Sequence, residues 1–277
     1  MSAKVSRHVS SAFRWLLVLV ISFVALFPIY VLALTSLKSR RDLFSGILSF
    51  RGTFTLENFS SVWDTYNFLF YMENSLVIAL MASLVTLIAG TFAAYGFSKY
   101  RFRAKAPLLM CIIGLRMIPP VSLIIPIFII ASRTGLNDTR TILVLVNTAL
   151  NLPFIIWLLK GFFDEISNEL IEAAYIDGCS DFGTFSKIAL PLVKPGLFAT
   201  SVFTFILTWN DFMFPLVLSS VRATTLPIMA TNFMTEHGVE WGNLGAAGVM
   251  ILLPVVIISL LTQRWLVSGL TQGAVKG

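Results

Sequence analysis

The feature that most constrains this chain is a set of six apolar stretches, each longer than 20 residues. A helix needs about 20 mostly apolar residues to cross the hydrocarbon core of a bilayer. Of the 277 residues, 57% are apolar and only 12% are charged, and a water-soluble core could not bury so much apolar surface. The pattern therefore predicts an all-α membrane protein with six transmembrane helices, at residues 13–37, 75–97, 107–131, 141–163, 195–220 and 244–268.

The distribution of Lys and Arg predicts how these helices are oriented, because cytoplasmic loops are enriched in basic residues. With the N-terminus inside, 12 Lys and Arg residues fall on the cytoplasmic side and seven fall outside, while Arg116 remains within the third stretch. The hairpin 98–106 alone carries four basic residues and no acidic residue. Both termini are therefore expected in the cytoplasm, and topology explains the net charge of +6 without nucleic-acid binding.

The cytoplasmic loop at residues 164–194 departs from this basic trend, since it holds six acidic residues. Ser167 and Ser180 stand where the N-caps of two short helices are expected, and Gly178 between them permits a sharp bend. The small residues at 173 and 174 would let another backbone approach closely. Periodicity alone does not separate an amphipathic pair on the lipid headgroups from a pair that contacts another protein.

The order of residues in this loop resembles the EAA loop of permease subunits in binding-protein-dependent ABC importers. That motif runs Glu-Ala-Ala, three residues, Gly, nine residues and Ile-x-Leu-Pro, and every element and both spacings occur here. In that family the loop is a coupling helix, which docks into a cleft on the ATPase subunit. The positions to which the resemblance assigns ATPase coupling are Glu172, Ala173, Ala174, Asp177, Gly178, Ile188, Leu190 and Pro191.

Further segments extend the resemblance along nearly the whole chain, to the carbohydrate branch of these importers and within it to the second permease of maltose-type systems. Matching segments include Phe-Thr-Leu-Glu-Asn-Phe at 54–59, Met-Ile-Pro-Pro at 117–120 and Trp-Asn-Asp-Phe at 209–212. The most branch-specific segment is the tail at 269–277. The resemblance implies a single permease domain over residues 1–277, with the coupling loop between spans four and five.

The same resemblance implies an assembly in the cytoplasmic membrane of a bacterium or archaeon. Its other members are a second, non-identical permease, two ATPase subunits and an extracytoplasmic solute-binding protein that delivers a sugar. The outer loop at 222–243 is expected to contact that binding protein, although its residues alone equally fit an ordinary hydrated loop.

The chain has no residues for chemistry of its own. No segment reads GxxxxGK[ST], so ATP and Mg²⁺ are expected on the partner ATPase subunits and no cofactor on this chain. Two His residues at opposite ends of the topology and two unpaired cysteines suggest neither a catalytic set nor a metal site. The chain is therefore not expected to be an enzyme.

Polar residues inside the apolar stretches are candidates for the substrate pathway, because a charged residue at the bilayer centre costs about 2.5–3.5 kcal/mol on insertion scales. Two interpretations remain open. These residues either line a cavity and bind sugar hydroxyls, with Trp209 stacking on a ring, or hold helices together, with Asp211 paired to Arg116 or to backbone. The candidates are Arg116, Asn147, Asn151, Trp209, Asn210 and Asp211.

An alternative function is an ion-coupled secondary transporter that uses Asp211 and Arg116. Such proteins usually carry internal repeats and broken helices. The two halves of this chain show no convincing repeat. The importer subunit is therefore the leading hypothesis.

Overall fold

The computed structural model describes residues 2–44, 52–236 and 238–272, and the side chains of 13–43, 52–236 and 238–263. Residues 45–51, His237 and the last five residues of the predicted tail lie outside the described residues. The helices, in chain order, are α1 (Ser2–Ser36), α2 (Arg40–Phe44), α3 (Glu57–Ser60), α4 (Phe68–Lys99), α5 (Lys105–Leu115), α6 (Pro120–Arg133), α7 (Arg140–Asp164), α8 (Asn168–Ile176), α9 (Asp181–Thr184), α10 (Leu190–Leu192), α11 (Lys194–Trp209), α12 (Met213–Leu218), α13 (Leu226–Met229) and α14 (Trp241–Gln272).

Within the described residues, four helices are long and apolar enough to cross a membrane, and six segments qualify if each of two bent helix pairs counts as one. The four lie in α1, α4, α7 and α14. The first pair, α5 with α6, bends by 90°, and the second bends by 75° where the segment Asp181–Leu192 meets α11. The chain is therefore a multi-pass membrane protein with four to six apolar helices.

Two of the predicted spans are interrupted. The third breaks between Leu115 and Pro120, because Pro120 has no N–H to donate to the carbonyl of residue 116 and its ring collides with that carbonyl. The fifth, predicted as one helix over 195–220, ends at Trp209 and resumes at Met213. Pro215 lacks the N–H that would bond to the carbonyl of residue 211, so the prediction of a continuous helix was wrong there.

The chain divides into two compact units, of which the first comprises Met1–Phe68 and Ala230–Pro254. In it the Nδ2 group of Asn58 donates to the carbonyls of Ser36 and Lys38, each at 2.9 Å. Gly245 lies so close to α1 that an added Cβ would sit 2.9 Å from the backbone nitrogen of Ser36. The end of α1 is thus fixed by an amide side chain and by a close helix contact.

The rest of the first unit is built from parts of two connecting segments, one between the first two predicted spans and one between the last two. The π-helical turn Ser61–Thr65 follows α3, and the 3₁₀ turn Ala230–Phe233 leads into a hairpin of β1 (Met234–Thr235) and β2 (Gly238–Val239). The phenol of Tyr66 donates to Oε2 of Glu240 at 3.1 Å, which connects these parts. Both loops therefore contain more regular structure than their sequences suggested.

The second unit comprises Leu69–Met229 and Val255–Gly277. Helix α7 is its centre, since half of its most apolar window is buried. One cluster of buried side chains joins α4, α7 and the 164–194 loop, and another joins α7 with α12. By contrast, none of the corresponding window of α1 is buried within the chain, which suits a surface that faces lipid or another subunit.

Candidate functional site

The first candidate site is a cavity of about 770 Å³ in the second unit. Its walls come from the α5–α6 pair, α7, the end of α11 and α12, and most of them are apolar. Four of the six polar candidates from the sequence lie on its lining, namely Arg116, Asn147, Asn151 and Asp211. The structure therefore brings together residues that are up to 95 positions apart in the chain.

Asp211 is held by helix α7 and by the first turn of α12. The Nδ2 group of Asn147 donates to its Oδ2 at 3.0 Å, and the N–H of Phe214 lies 3.4 Å from its Oδ1. Asn147 also donates to the carbonyl of Leu143 at 3.0 Å. The carboxylate thus accepts from one backbone N–H at the start of α12, and its bond to Asn147 fixes the helix break to α7. A bond between Asp211 and backbone is what the structural interpretation expected.

Arg116 does not pair with Asp211. Its guanidinium carbon lies 4.6 Å from the centre of the Phe154 ring, which is a cation–π arrangement. Among the residues that the structure describes, no acidic side chain forms an ion pair with Arg116. The suggested Arg116–Asp211 pair is therefore absent, and the cation faces the cavity from the end of α5.

The other two polar candidates are placed away from the cavity lining. Trp209 is only 1% exposed and stacks on Phe205 at 5.6 Å between ring centres. Asn210 bonds back to the carbonyl of Ile206. By contrast, Asn151 lies on the lining, with its Nδ2 3.4 Å from the hydroxyl oxygen of Thr208. Helix α7 therefore contributes two amide side chains to the cavity, those of Asn147 and Asn151. In this structure the indole of Trp209 is therefore not positioned to stack on a sugar in the cavity.

The second candidate site is the loop at 164–194, whose local structure follows the sequence closely. The hydroxyl of Ser167 accepts from the N–H of Leu170, and that of Ser180 accepts from the N–H of Gly183, so both serines cap helices. Gly178 between them has a φ of +82°, in the left-handed region that glycine adopts without strain. The loop is thus two short helical segments joined by a sharp bend.

The inner side of this loop packs on the membrane helices. Phe185 is 6% exposed and lies 5.0 Å from the rings of both Tyr95 and Phe92 on α4. Ile171 and Ala174 from α8 are buried in the same region. The loop is therefore densely packed against the C-terminal end of α4.

The outer side of the loop carries the exposed residues of the motif and several large apolar side chains. Glu172, Ala173, Asp177, Gly178 and Pro191 are exposed, whereas Ala174 is buried, and Ile188 and Leu190 are half-buried. Ile176 is 85% exposed and Phe182 is 67% exposed. Helical spacing groups Phe182 with Phe185 on one face, yet only Phe185 is covered by neighbouring side chains.

One hydrogen bond fixes the angle between the two segments of the loop. The phenol of Tyr175 donates to Oδ1 of Asp181 at 2.9 Å across the Gly178 bend. This bond, together with partial burial, raises the pKa of Tyr175, so the phenol keeps its proton at any physiological pH.

The base of the loop is held by polar contacts that the sequence did not reveal. The hydroxyl of Ser98 donates to Oδ1 of Asp164 at 2.7 Å, and Lys160 pairs with the other oxygen at 2.5 Å. Lys99 donates to the carbonyl of Ile166 at 2.5 Å. The basic hairpin therefore fixes the start of the loop. Within the described ranges no group of His, Cys, Asp and Glu forms a metal site.

Comparison with known proteins agrees with this arrangement. The model of the family described as "binding-protein-dependent transport system inner membrane component" matches residues 86–272. The chain is 37% identical over 257 residues to the probable ABC transporter permease protein y4oR of Sinorhizobium fredii, covering 93% of this chain and 92% of that protein. It is 35% identical over 264 residues to the trehalose/maltose transport system permease protein MalG of Thermococcus litoralis, covering 94% of each.

The fold is also that of a solved transporter. A chain in the crystal structure of a bacterial ABC transporter involved in the import of the acidic polysaccharide alginate superposes with a TM-score of 0.78 at 24% identity, covering 94% of this chain and 97% of that one. This likeness concerns the fold alone. The family model and the two relatives show that the chain belongs to the family of inner membrane components of binding-protein-dependent transport systems.

Proposed function

We propose that this chain is one of two unlike permease subunits of an ATP-driven importer that takes up a sugar or sugar derivative. The names of its relatives support this substrate class, since they include a trehalose/maltose permease and a diacetylchitobiose uptake permease. The other members of the proposed assembly are a second permease, two ATPase subunits that bind ATP and Mg²⁺, and an extracytoplasmic solute-binding protein. The termini and the 164–194 loop lie in the cytoplasm.

The observation that carries this proposal is the two-sided construction of the 164–194 loop. Its inner side is packed on α4 through Phe185, while its outer side presents Glu172, Ile176 and Phe182 to the surroundings. Large exposed apolar side chains among acidic residues are typical of a protein interface rather than of a free surface. We infer that the ATPase subunit covers this outer side and moves the loop during the ATP cycle.

The cavity contributes half of the proposed translocation pathway. Its volume of about 770 Å³ lies in the range of small-molecule sites. The amides of Asn147 and Asn151 and the carboxylate of Asp211 offer acceptors and donors that match sugar hydroxyls. Arg116, backed by the Phe154 ring, adds a cation to the same wall. Trp209 and Asn210 act in this proposal through the helix break rather than through sugar contacts.

The proposed cycle connects these two sites. ATP binding closes the ATPase pair and displaces the coupling loop, and the packed cluster around Phe185 transmits that displacement to α4 and α7. The permeases then turn from inward-open to outward-open while the binding protein delivers its sugar. Hydrolysis of ATP resets the assembly.

Purification and reconstitution test the proposal. A tagged chain expressed from its native genomic neighbourhood should bring along a sister permease and an ATPase, and the complex in proteoliposomes should hydrolyse ATP faster when binding protein is added. The variant Glu172→Lys should insert normally but lose this stimulation and transport, because a cation replaces an exposed acid on the outer side.

The matched control is Glu165→Lys, which makes the same charge change at an exposed position of the loop outside its two helical segments. We expect near-normal coupling in the control. Isolation of the chain without an ATPase, together with solute uptake driven by an ion gradient, would overturn the proposal. Normal stimulation in Glu172→Lys would overturn the assignment of the coupling loop alone.

A further inference from the structure

A half-buried carboxylate outside both sites holds the segment that follows α12. Asp138, in the turn between α6 and α7, accepts from the backbone N–H groups of residues 220–223 at 2.9 to 3.2 Å. Its own N–H donates to the carbonyl of Leu218 at 2.8 Å. Asp138 has a φ of +57°, a left-handed conformation that Asp tolerates better than most residues. One side chain thus binds four consecutive backbone groups of a segment 80 positions away.

The carboxylate stays ionised in this setting. Partial burial raises the pKa of Asp138, but the four backbone N–H groups outweigh it and lower the pKa to about 2. The guanidinium of Arg222 contributes little, because its Nε is 3.8 Å away and its side chain is 81% exposed. The interaction is therefore an anion held by backbone donors, as in the anion-binding nests of other proteins.

Two further side chains hold the same segment from the start of α4. Asn74 donates through Nδ2 to the carbonyls of Arg222 and Thr224, at 3.1 and 2.9 Å. Its Oδ1 accepts from Arg140 at 2.7 Å, at the start of α7. The hydroxyl of Ser75 accepts from the N–H of Leu226 at 2.9 Å. The backbone of the segment 219–226 is consequently fixed along most of its length.

Two side chains of this fixed segment are strongly exposed, whereas those of residues 223–226 are buried. Val221 is 72% exposed and the side chain of Arg222 is 81% exposed, although the backbone at both positions is bonded to Asp138. Exposed apolar and cationic side chains on a rigid backbone can contact a partner without the entropic cost of ordering a loop. A flexible loop of the same composition would bind more weakly.

We propose that Asp138 is a positioning residue for the response to the solute-binding protein: its carboxylate holds the segment 219–226 in the shape that the loaded binding protein contacts. This inference rests on the proposed function, which places this segment on the extracytoplasmic side. It goes further in assigning control over how tightly the binding protein engages the permease to one acidic residue that belongs neither to the cavity lining nor to the coupling loop.

The test uses the complete importer in proteoliposomes and measures ATP hydrolysis against the concentration of loaded binding protein. Asp138→Asn keeps the size of the side chain but replaces one acceptor oxygen by a donor that faces backbone N–H groups. We expect the concentration for half-maximal stimulation to rise about tenfold, with the basal rate and the amount of assembled complex unchanged. Asp64→Asn, at an exposed position, is the control for loss of an acid.

A spin label gives a second readout that does not depend on transport. It is attached to Val221→Cys after Cys111 and Cys179 are replaced by Ser. Asp138→Asn should increase the mobility of this label, and Asp64→Asn should leave it unchanged. Unchanged mobility and unchanged half-maximal concentration in Asp138→Asn would overturn the inference, whereas a wild-type complex without any stimulation would overturn the proposed function instead.

A milder variant decides the matter if Asp138→Asn does not assemble. Ser75→Ala removes only the bond to the N–H of Leu226 at the far end of the segment. It should raise the half-maximal concentration about twofold to threefold and leave the maximal rate unchanged. An unaltered response in Ser75→Ala together with an immobile label at position 221 would contradict the inference.

Discussion

The proposed coupling loop at 164–194 and the cavity around Asp211 are built in opposite ways. The loop takes its shape from neighbours in sequence, since the bonds that form its caps and its bend join residues three to six positions apart. The cavity takes its shape from residues far apart, since Asn147 meets Asp211 across 64 positions. The structure of the loop is therefore determined by local interactions, and one face of it is exposed. The cavity, in contrast, forms only when α7, α11 and α12 are packed together.

This difference indicates how the two sites divide the work of transport. A loop with its own local structure can be pushed by a partner without losing its shape, provided that its inner side stays attached. A cavity formed between helices changes its shape whenever those helices move. Damage to the loop should therefore affect coupling before stability, and damage to the cavity contacts should affect the helix packing itself.

The largest effect on coupled transport is expected at the bend of the loop. Gly178→Val places a β-branched residue at a φ of +82°, a strain of about 1–3 kcal/mol. The two segments would shift to relieve it, so the coupled transport rate should fall about tenfold or more. Transport in proteoliposomes is the measurement. Gly178→Asn is the control, because Asn tolerates the left-handed region, and equal loss in both variants would show that the φ angle is not the reason.

Substitutions of two phenylalanines distinguish the role of the inner side of the loop from that of its outer side. Phe185→Ala removes a ring that is 6% exposed, and the free energy of unfolding should drop by about 3–5 kcal/mol. Phe182→Ala removes a ring that is 67% exposed and should change it by less than about 0.5 kcal/mol, yet reduce stimulated ATP hydrolysis. Unfolding in detergent and hydrolysis in proteoliposomes are both needed. Similar losses of stability would remove the distinction between the two sides.

The two ends of the loop meet where Gly196 in α11 lies against Phe162 in α7. An added Cβ at residue 196 would sit 2.6 Å from the Phe162 ring, so Gly196→Ala should destabilise the protein by about 1–3 kcal/mol. Gly161→Ala is the control, since an added Cβ there has no neighbour within 4 Å. That variant should be neutral or slightly stabilising in the same unfolding measurement. Equal effects would show that the close approach of α7 and α11 is not needed.

The smallest effect is expected from the polar pair of the cavity. A double-mutant cycle with Asn147→Ala and Asp211→Ala should give a coupling energy of about 0.5–1.5 kcal/mol in unfolding measurements. The matched cycle of Asn151→Ala with Asp211→Ala should give a value near zero, because Asn151 bonds to Thr208 instead. A zero value for the first cycle would mean that Asn147 does not hold the helix break.

The sequence was most informative where structure is local. Ser167, Gly178 and Ser180 each act within three residues, so their roles could be predicted before any packing was known. The family motif, which fixes residue order and spacing, supplied the rest of the loop. The exposure of Phe182 could not be predicted, because helical spacing shows which residues share a face but not whether a neighbour covers each of them.

Non-local features could not be predicted. The apolar run 195–220 gave no sign of its break beyond Pro215, and the polar group that stabilises the break comes from α7. Four of the six pathway candidates line one cavity, but Trp209 packs on Phe205 instead. The role of Asp138 could not be predicted, since the four N–H groups that it binds come from another part of the chain. Contacts between distant segments leave little trace in a single sequence.

The most direct test of the central claim is site-specific photocrosslinking from the coupling loop. A photoreactive phenylalanine analogue placed at position 182, where the native ring is 67% exposed, should form a covalent adduct with the ATPase subunit in the assembled importer. The same analogue at position 185, where the ring is 6% exposed, should crosslink within the chain. An adduct of position 182 with lipid, with the ATPase absent from every product, would contradict the account.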